Sequence, residues 1–186
     1  LACPRRYSSV AAGRSHSLAT SSDGQVFSWG EGLMAGHAED VAVPMLLPAL
    51  SQIYVCCVSA GAHHSLAVTD EGAVYSWGFG GLALGHGNEE DCPEPKRVEA
   101  LRDQRVCMVA AGNDHSLANS IAGSIYSWGE GDCGQLGHGH MNGQPLPKRV
   151  EGLQEGVRSV AAGDYFSLAI TASGALHMWG SNSYGQ

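Results

Sequence analysis

A block of 21 residues occurs four times in this chain, and no other feature constrains its fold as strongly. It reads VAAGRSHSLATSSDGQVFSWG from Val10, VSAGAHHSLAVTDEGAVYSWG from Val58, VAAGNDHSLANSIAGSIYSWG from Val109 and VAAGDYFSLAITASGALHMWG from Val160. The closing tryptophans, Trp29, Trp77, Trp128 and Trp179, stand 48, 51 and 51 residues apart. A unit of about 50 residues cannot bury a hydrophobic face alone, so its copies must stack on one another. The chain is therefore read as one partial assembly over residues 1–186. It holds three full repeats and an incomplete fourth, with repeat cores at 10–30, 58–78, 109–129 and 160–180.

The third repeat shows what each unit predicts. Val109-Ala110-Ala111-Gly112 is short, apolar and small-residued, a buried strand that tolerates close neighbours. A second strand begins at His115-Ser116-Leu117-Ala118, and Ala122-Gly123 signals a tight turn, matched by Asp23-Gly24, Glu71-Gly72 and Ser173-Gly174. Glycine there points to a two-residue hairpin needing positive φ. Ser124 to Trp128 alternates as a third strand. Pro147-Lys148-Arg149-Val150 reads as an outer strand, where one unpaired edge tolerates proline. Four short antiparallel strands per repeat predict an all-β fold, a β-propeller of four-stranded blades. Helical periodicity is missing throughout. Trp-Asp propellers have a shorter period and an aspartate after the tryptophan, whereas glycine follows all four tryptophans here. Kelch repeats carry a diglycine that these repeats lack at any common position.

Four elements carry a more specific signal. They are V-x-A-G-x-x-H-S-L-A, then a hairpin closing on W-G, then Gly134-Gln135-Leu136-Gly137-His138-Gly139, then Pro-Lys-Arg-Val at 95–98 and 147–150. The first two span all four repeats, with Phe166 in place of the histidine in the fourth. Together they resemble the regulator of chromosome condensation family. That resemblance implies a seven-bladed ring, of which this chain would be about half. The chain starts at Leu1 and its last repeat stops at Gly185-Gln186, so a segment of a longer chain is expected. Its end blades would then each lack a neighbour and expose residues such as Val10 and Trp179. The rest of the propeller or a second copy would have to close the ring.

Composition excludes several classes of function. The net charge of −8 opposes direct contact with nucleic acid, where lysine and arginine must neutralise phosphates. Lys96-Arg97 and Lys148-Arg149 are the main basic pairs. No apolar run reaches the ~18 residues of a membrane span. The six cysteines, Cys3, Cys56, Cys57, Cys92, Cys107 and Cys133, form no CxxC pair and read as falling at non-equivalent repeat positions. Free thiols in an intracellular compartment, cytoplasmic or nuclear, are expected.

Chemistry is expected from none of the repeated residues. His16, His64 and His115 recur once per blade, as do His37, His86 and His138, and copies a blade apart cannot converge on one metal ion. Their expected role is a hydrogen bond that fixes the local turn. The tryptophans and the glycines Gly13, Gly61, Gly112 and Gly163 are assigned to blade packing. There is no GxxxxGK[ST] loop and no Gly-x-Ser-x-Gly elbow, so no enzyme activity, cofactor or metal is expected.

Variation within the frame is where binding should lie. The two-residue inserts before the histidine position are Arg14-Ser15, Ala62-His63, Asn113-Asp114 and Asp164-Tyr165. They run from basic to acidic and are expected on one solvent-exposed rim, as loops on a rigid scaffold. The resemblance includes a plant ultraviolet-B photoreceptor with extra tryptophans at these inserts, which this chain lacks. The glycine-rich loop shortens from eight positions at Gly129–Gly137 to seven at Gly78–Gly85 and six at Gly30–Gly36. The segment Val43 to Pro48 forms a conspicuously apolar outer edge. The reading is a non-catalytic module that docks a protein by rim loops or outer edge. The resemblance adds two alternatives: guanine-nucleotide exchange on a small GTPase, and a recognition propeller of a large ubiquitin ligase. Exchange would need an inserted wedge loop, and no repeat carries one.

Overall fold

The computed structural model describes residues 6–153 and 155–186, so Cys3 lies outside the described residues. Its strands fall in chain order into antiparallel sheets, one per repeat. The first holds β1 (Tyr7–Ala12), β2 (His16–Ser21), β3 (Val26–Gly30) and β4 (Val41–Leu46). The second holds β5 (Val55–Ala60), β6 (His64–Thr69), β7 (Val74–Gly78) and β8 (Cys92–Arg97). The third holds β9 (Val106–Ala111), β10 (His115–Ser120), β11 (Ile125–Gly129) and β12 (Gln144–Arg149). The fourth has three strands, β13 (Val157–Ala162), β14 (Phe166–Thr171) and β15 (Leu176–Gly180). The fold is all-β, an arc of propeller blades amounting to about half a ring. Among the described residues helix is confined to one four-residue turn, α1 (Gly32–Ala35), and three 3-10 turns.

The hairpins differ from the two-residue expectation. Ser21 N–H donates to Gln25 O at 2.9 Å and Gly24 N–H donates to Ser21 O at 2.9 Å, which leaves Ser22-Asp23-Gly24 as a three-residue loop. Gly24 takes φ 80°, the left-handed position that closes a type I turn with a bulge. The same bond closes at Gly72, Gly123 and Gly174. Glycine is needed for its φ, as read, but in a longer turn.

The core lies between sheets rather than within them. Leu18, Val26, Leu47 and Leu50 of the first blade pack against Val55, Val58, Ala67 and Trp77 of the second. Leu66, Val68, Val74, Val98 and Leu101 meet Val106, Val109, Ala118 and Trp128 in the same way. The third joint repeats it, with Trp179 at its margin. Trp77, Trp128 and Trp179 thus each face the blade before their own.

This direction corrects the expectation for the end blades. Trp77 and Trp128 are 0% exposed, whereas Trp29, with no sheet before it among the described residues, is half-buried. Trp179 is also half-buried, because the third blade covers it; the fourth blade exposes Leu176 and Met178 instead. Val10 is exposed as expected, at 75%.

The cysteine reading is corrected too. Counted back from Val58 and Val109, Cys56 and Cys107 hold the same position on β5 and β9. Both donate to a carbonyl of the next strand, Val68 O at 3.3 Å and Asn119 O at 3.4 Å, as Ser8 Oγ does to Thr20 O. The five described cysteines are free.

Candidate functional site

At the end of every inner strand the chain turns sharply through glycine, the two-residue insert and the histidine position. Gly13 N–H donates to His16 O at 2.9 Å, and Gly61, Gly112 and Gly163 repeat the bond. Side chains are barred here by crowding. A Cβ on Gly13 would lie 2.4 Å from Gly61 O and 2.5 Å from the His16 ring, and Gly61 and Gly112 are hemmed in alike.

The histidine beside each turn reaches the next blade. His16 Nε2 meets Ser65 Oγ at 2.8 Å, His64 meets Ser116 at 2.9 Å and His115 meets Ser167 at 2.9 Å. Each serine hydroxyl donates onward to a loop carbonyl of the histidine's own blade: Met34 O at 2.7 Å, Ala83 O at 2.8 Å and Gln135 O at 2.8 Å. A hydroxyl has one proton, so Nε2–H must be the donor and Nδ1 must be bare. Nδ1 of His16 and of His115 is buried with no partner among the described residues. An imidazolium could not place its second proton there. Burial accordingly lowers His16 to about 4, His64 to about 3 and His115 to about 4. These contacts bridge blades, which corrects the local-turn role. The loop histidines do act locally: His37, His86 and His138 bond Ser28, Ser76 and Ser127 of their own blades.

The tryptophans join the same loop carbonyls. Trp128 Nε1–H donates to Ala83 O at 2.7 Å and Trp179 Nε1–H to Gln135 O at 2.8 Å. Trp77 Nε1 is buried without a partner among the described residues; in this shortest loop, which winds into α1, Met34 O accepts from Ser65 Oγ.

The inserts lie side by side. Arg14 N–H donates to Gly61 O at 3.3 Å, Ala62 N–H to Gly112 O at 3.3 Å and Asn113 N–H to Asp164 O at 3.1 Å. Arg14, Ala62, Asn113, Asp164 and Tyr165 line a shared hollow of about 590 Å³ at the hub. Ser15, His63 and Asp114 instead support the residue after each strand-ending glycine, through Glu31, Phe79 and Glu130 N–H groups that donate to their carbonyls. Arg14, Ser15, Asp164 and Tyr165 are exposed, and His63, Asn113 and Asp114 are half-buried. Ala62 is buried at 9%, against the expectation of exposure, where its backbone N–H donates to Gly112 O of the third blade.

Sequence reading missed the second tier of this rim, Glu31, Phe79 and Glu130. Its signal was available: the position after each Trp-Gly is Glu, Phe, Glu and Ser where its neighbours hardly vary. Ser15 Oγ donates to Glu31 Oε2 at 2.9 Å, and Asn113 donates to Tyr165 Oη at 3.3 Å as well as to Asp114. Among the described residues the one ion pair is Arg102–Asp103, away from these loops, so the rim charges have no ionic partner there. No group of three or more His, Cys, Asp and Glu converges as a metal site among the described residues. No helix is long and apolar enough to cross a membrane there either.

Blades stacked by buried latches around a hub, with a variable rim, define a β-propeller. The chain belongs to the regulator of chromosome condensation (RCC1) repeat family, whose repeat signatures match residues 71–118 and 122–170, and, in a second form, 7–33, 55–81, 106–135 and 157–186. It is 40% identical over 181 residues to the human E3 ubiquitin-protein ligase HERC2, covering 93% of this chain and 4% of that protein. It is 36% identical over 190 residues to the Arabidopsis thaliana ultraviolet-B receptor UVR8, covering 98% and 43%. The crystal structure of Prp20p from Saccharomyces cerevisiae, described with its binding properties to Gsp1p and histones, superposes with a TM-score of 0.80 at 26% identity. That match covers 97% of this chain and 46% of Prp20p. The chain thus spans less than half the length of each.

Proposed function

We propose that this chain is a non-catalytic docking segment that binds a protein through its insert rim. One observation carries the reading: the latch histidines, their serines, the turn glycines and Trp77, Trp128 and Trp179 are engaged in blade joints, and the insert rim beside them varies in charge from repeat to repeat. Its charges run from Arg14 to Asp114 and Asp164 without ionic partners among the described residues, which suits a protein surface of complementary charge. The free thiols fit a reducing interior.

The likeness to HERC2 favours a second reading, a recognition propeller within a larger ubiquitin ligase, where it would select the protein to be modified. Exchange on a small GTPase is supported only by the likeness to Prp20p; release of labelled GDP from a GTPase on adding the chain would test it. Photoreception has less support, since no insert residue is tryptophan.

Replacing Arg14 and Asp114 together with alanine is expected to weaken capture of the bound protein at least about tenfold, as loss of two rim charges can. The unfolding free energy should fall by no more than about 1 kcal/mol, since Arg14 is exposed and half-buried Asp114 gives up one hydrogen bond from Asn113. Undiminished capture by a folded double variant would move the site to the outer strands.

A further inference from the structure

A second hollow, of about 280 Å³, lies on the rim where the second blade meets the third. Phe79 and His63 form one wall, with ring centroids 6.2 Å apart, and Leu82 and Ala83 line it beneath. Asp114 and Glu130 approach from the third blade. Phe79 is 56% exposed although it stands where the first and third repeats place glutamate. An exposed aromatic ring and two carboxylates lining one hollow suit one kind of visitor. A guanidinium stacks on an aromatic face and forks onto carboxylates, while its methylenes cover apolar surface.

We infer that this hollow receives a single arginine side chain from the docked protein, stacked on Phe79 and paired with Asp114 and Glu130. The inference rests on the rim reading above and names its chemistry. Charge supports it: no ion pair within the described residues satisfies either carboxylate. Burial, then the neighbouring Asp132, Asp114 and Glu89 carboxylates, push the Glu130 carboxyl up, the crowding that an incoming cation relieves. Arginine is favoured over lysine because only a planar group can stack and fork together.

The probe is the tripeptide acetyl-Gly-Arg-Gly-amide, titrated into the full 186-residue chain while amide and side-chain NMR signals are followed. Saturable shifts are expected at His63, Phe79, Asp114 and Glu130. The citrulline tripeptide, equal in shape but uncharged, should bind at least about tenfold more weakly. Phe79→Ala or Glu130→Gln should weaken the arginine probe about fivefold or more at an unchanged unfolding midpoint. Equal binding of citrulline, equal binding by Phe79→Ala, or no saturable shift overturns the inference. Capture of a protein partner separates it from the rim reading. Capture that fails with Arg14→Ala yet ignores Phe79→Ala overturns the arginine pocket and leaves the rim. Saturable arginine binding with capture indifferent to both variants overturns the rim reading, and with it the docked protein as the source of the arginine.

Discussion

Acidification from pH 7 to pH 5 is expected to lower the unfolding free energy by about 5 kcal/mol, enough to unfold a domain of ordinary stability. The cause is the latch histidines. His16, His64 and His115 are held near 4, 3 and 4 in the folded chain, chiefly by burial, against 6.5 when unfolded. Above pH 6.5 both states are neutral and the latches contribute fully. As the pH falls below 6.5 the unfolded chain takes up protons that the folded chain refuses. Each histidine then costs roughly 2 kcal/mol by pH 5, and the loss continues toward the folded values. His86 and His138 are lowered too, by burial and then by Lys96 and Lys148, so they act with the same sign. Denaturant unfolding across pH 7.5 to 4.5 measures this. His64→Gln, which keeps a donor for Ser116 but does not titrate, should remove about a third of the pH dependence. An unchanged slope would mean that the latch is not neutral.

Trp128→Ala should destabilise by ~3–5 kcal/mol, the range for deleting a large buried aromatic. Trp29→Ala should cost distinctly less, because that ring is half-buried with no blade before it among the described residues. Phenylalanine separates packing from hydrogen bonding. Trp128→Phe loses the bond to Ala83 O, worth about 1 kcal/mol, whereas Trp77→Phe removes a buried donor that had no partner. The loss should therefore be larger at 128 than at 77. Unfolding midpoints that barely move while partner capture disappears would make Trp128 a recognition residue.

Much of this architecture was legible because each blade repeats its own periodicity. Strand alternation, the turn glycines and the tryptophan interval require only local sequence. The latches were not legible, since His64 and its serine stand 52 residues apart and no pattern within one repeat links them. Only stacking brings Ser116 beneath His64. The same holds for the direction of the tryptophans, which decides that Trp29 rather than Trp179 lacks a covering blade. Ala62 read as exposed from its place in a variable insert, but a small side chain at a joint is buried by its neighbours whatever its position. Phe79 and Glu130 escaped notice because they follow the framework Trp-Gly by one residue, and only the bonds from their N–H groups to His63 and Asp114 carbonyls place them on the rim.

The central claim is that framework residues join blades while recognition is confined to the rim. Hydrogen–deuterium exchange of the chain with and without a captured protein tests it most directly. The account predicts new protection at 13–16, 61–64, 112–115 and 163–166, together with 79–83 and 130, and none along the outer strands 41–46, 92–97 and 144–149. Protection confined to those outer strands would contradict it.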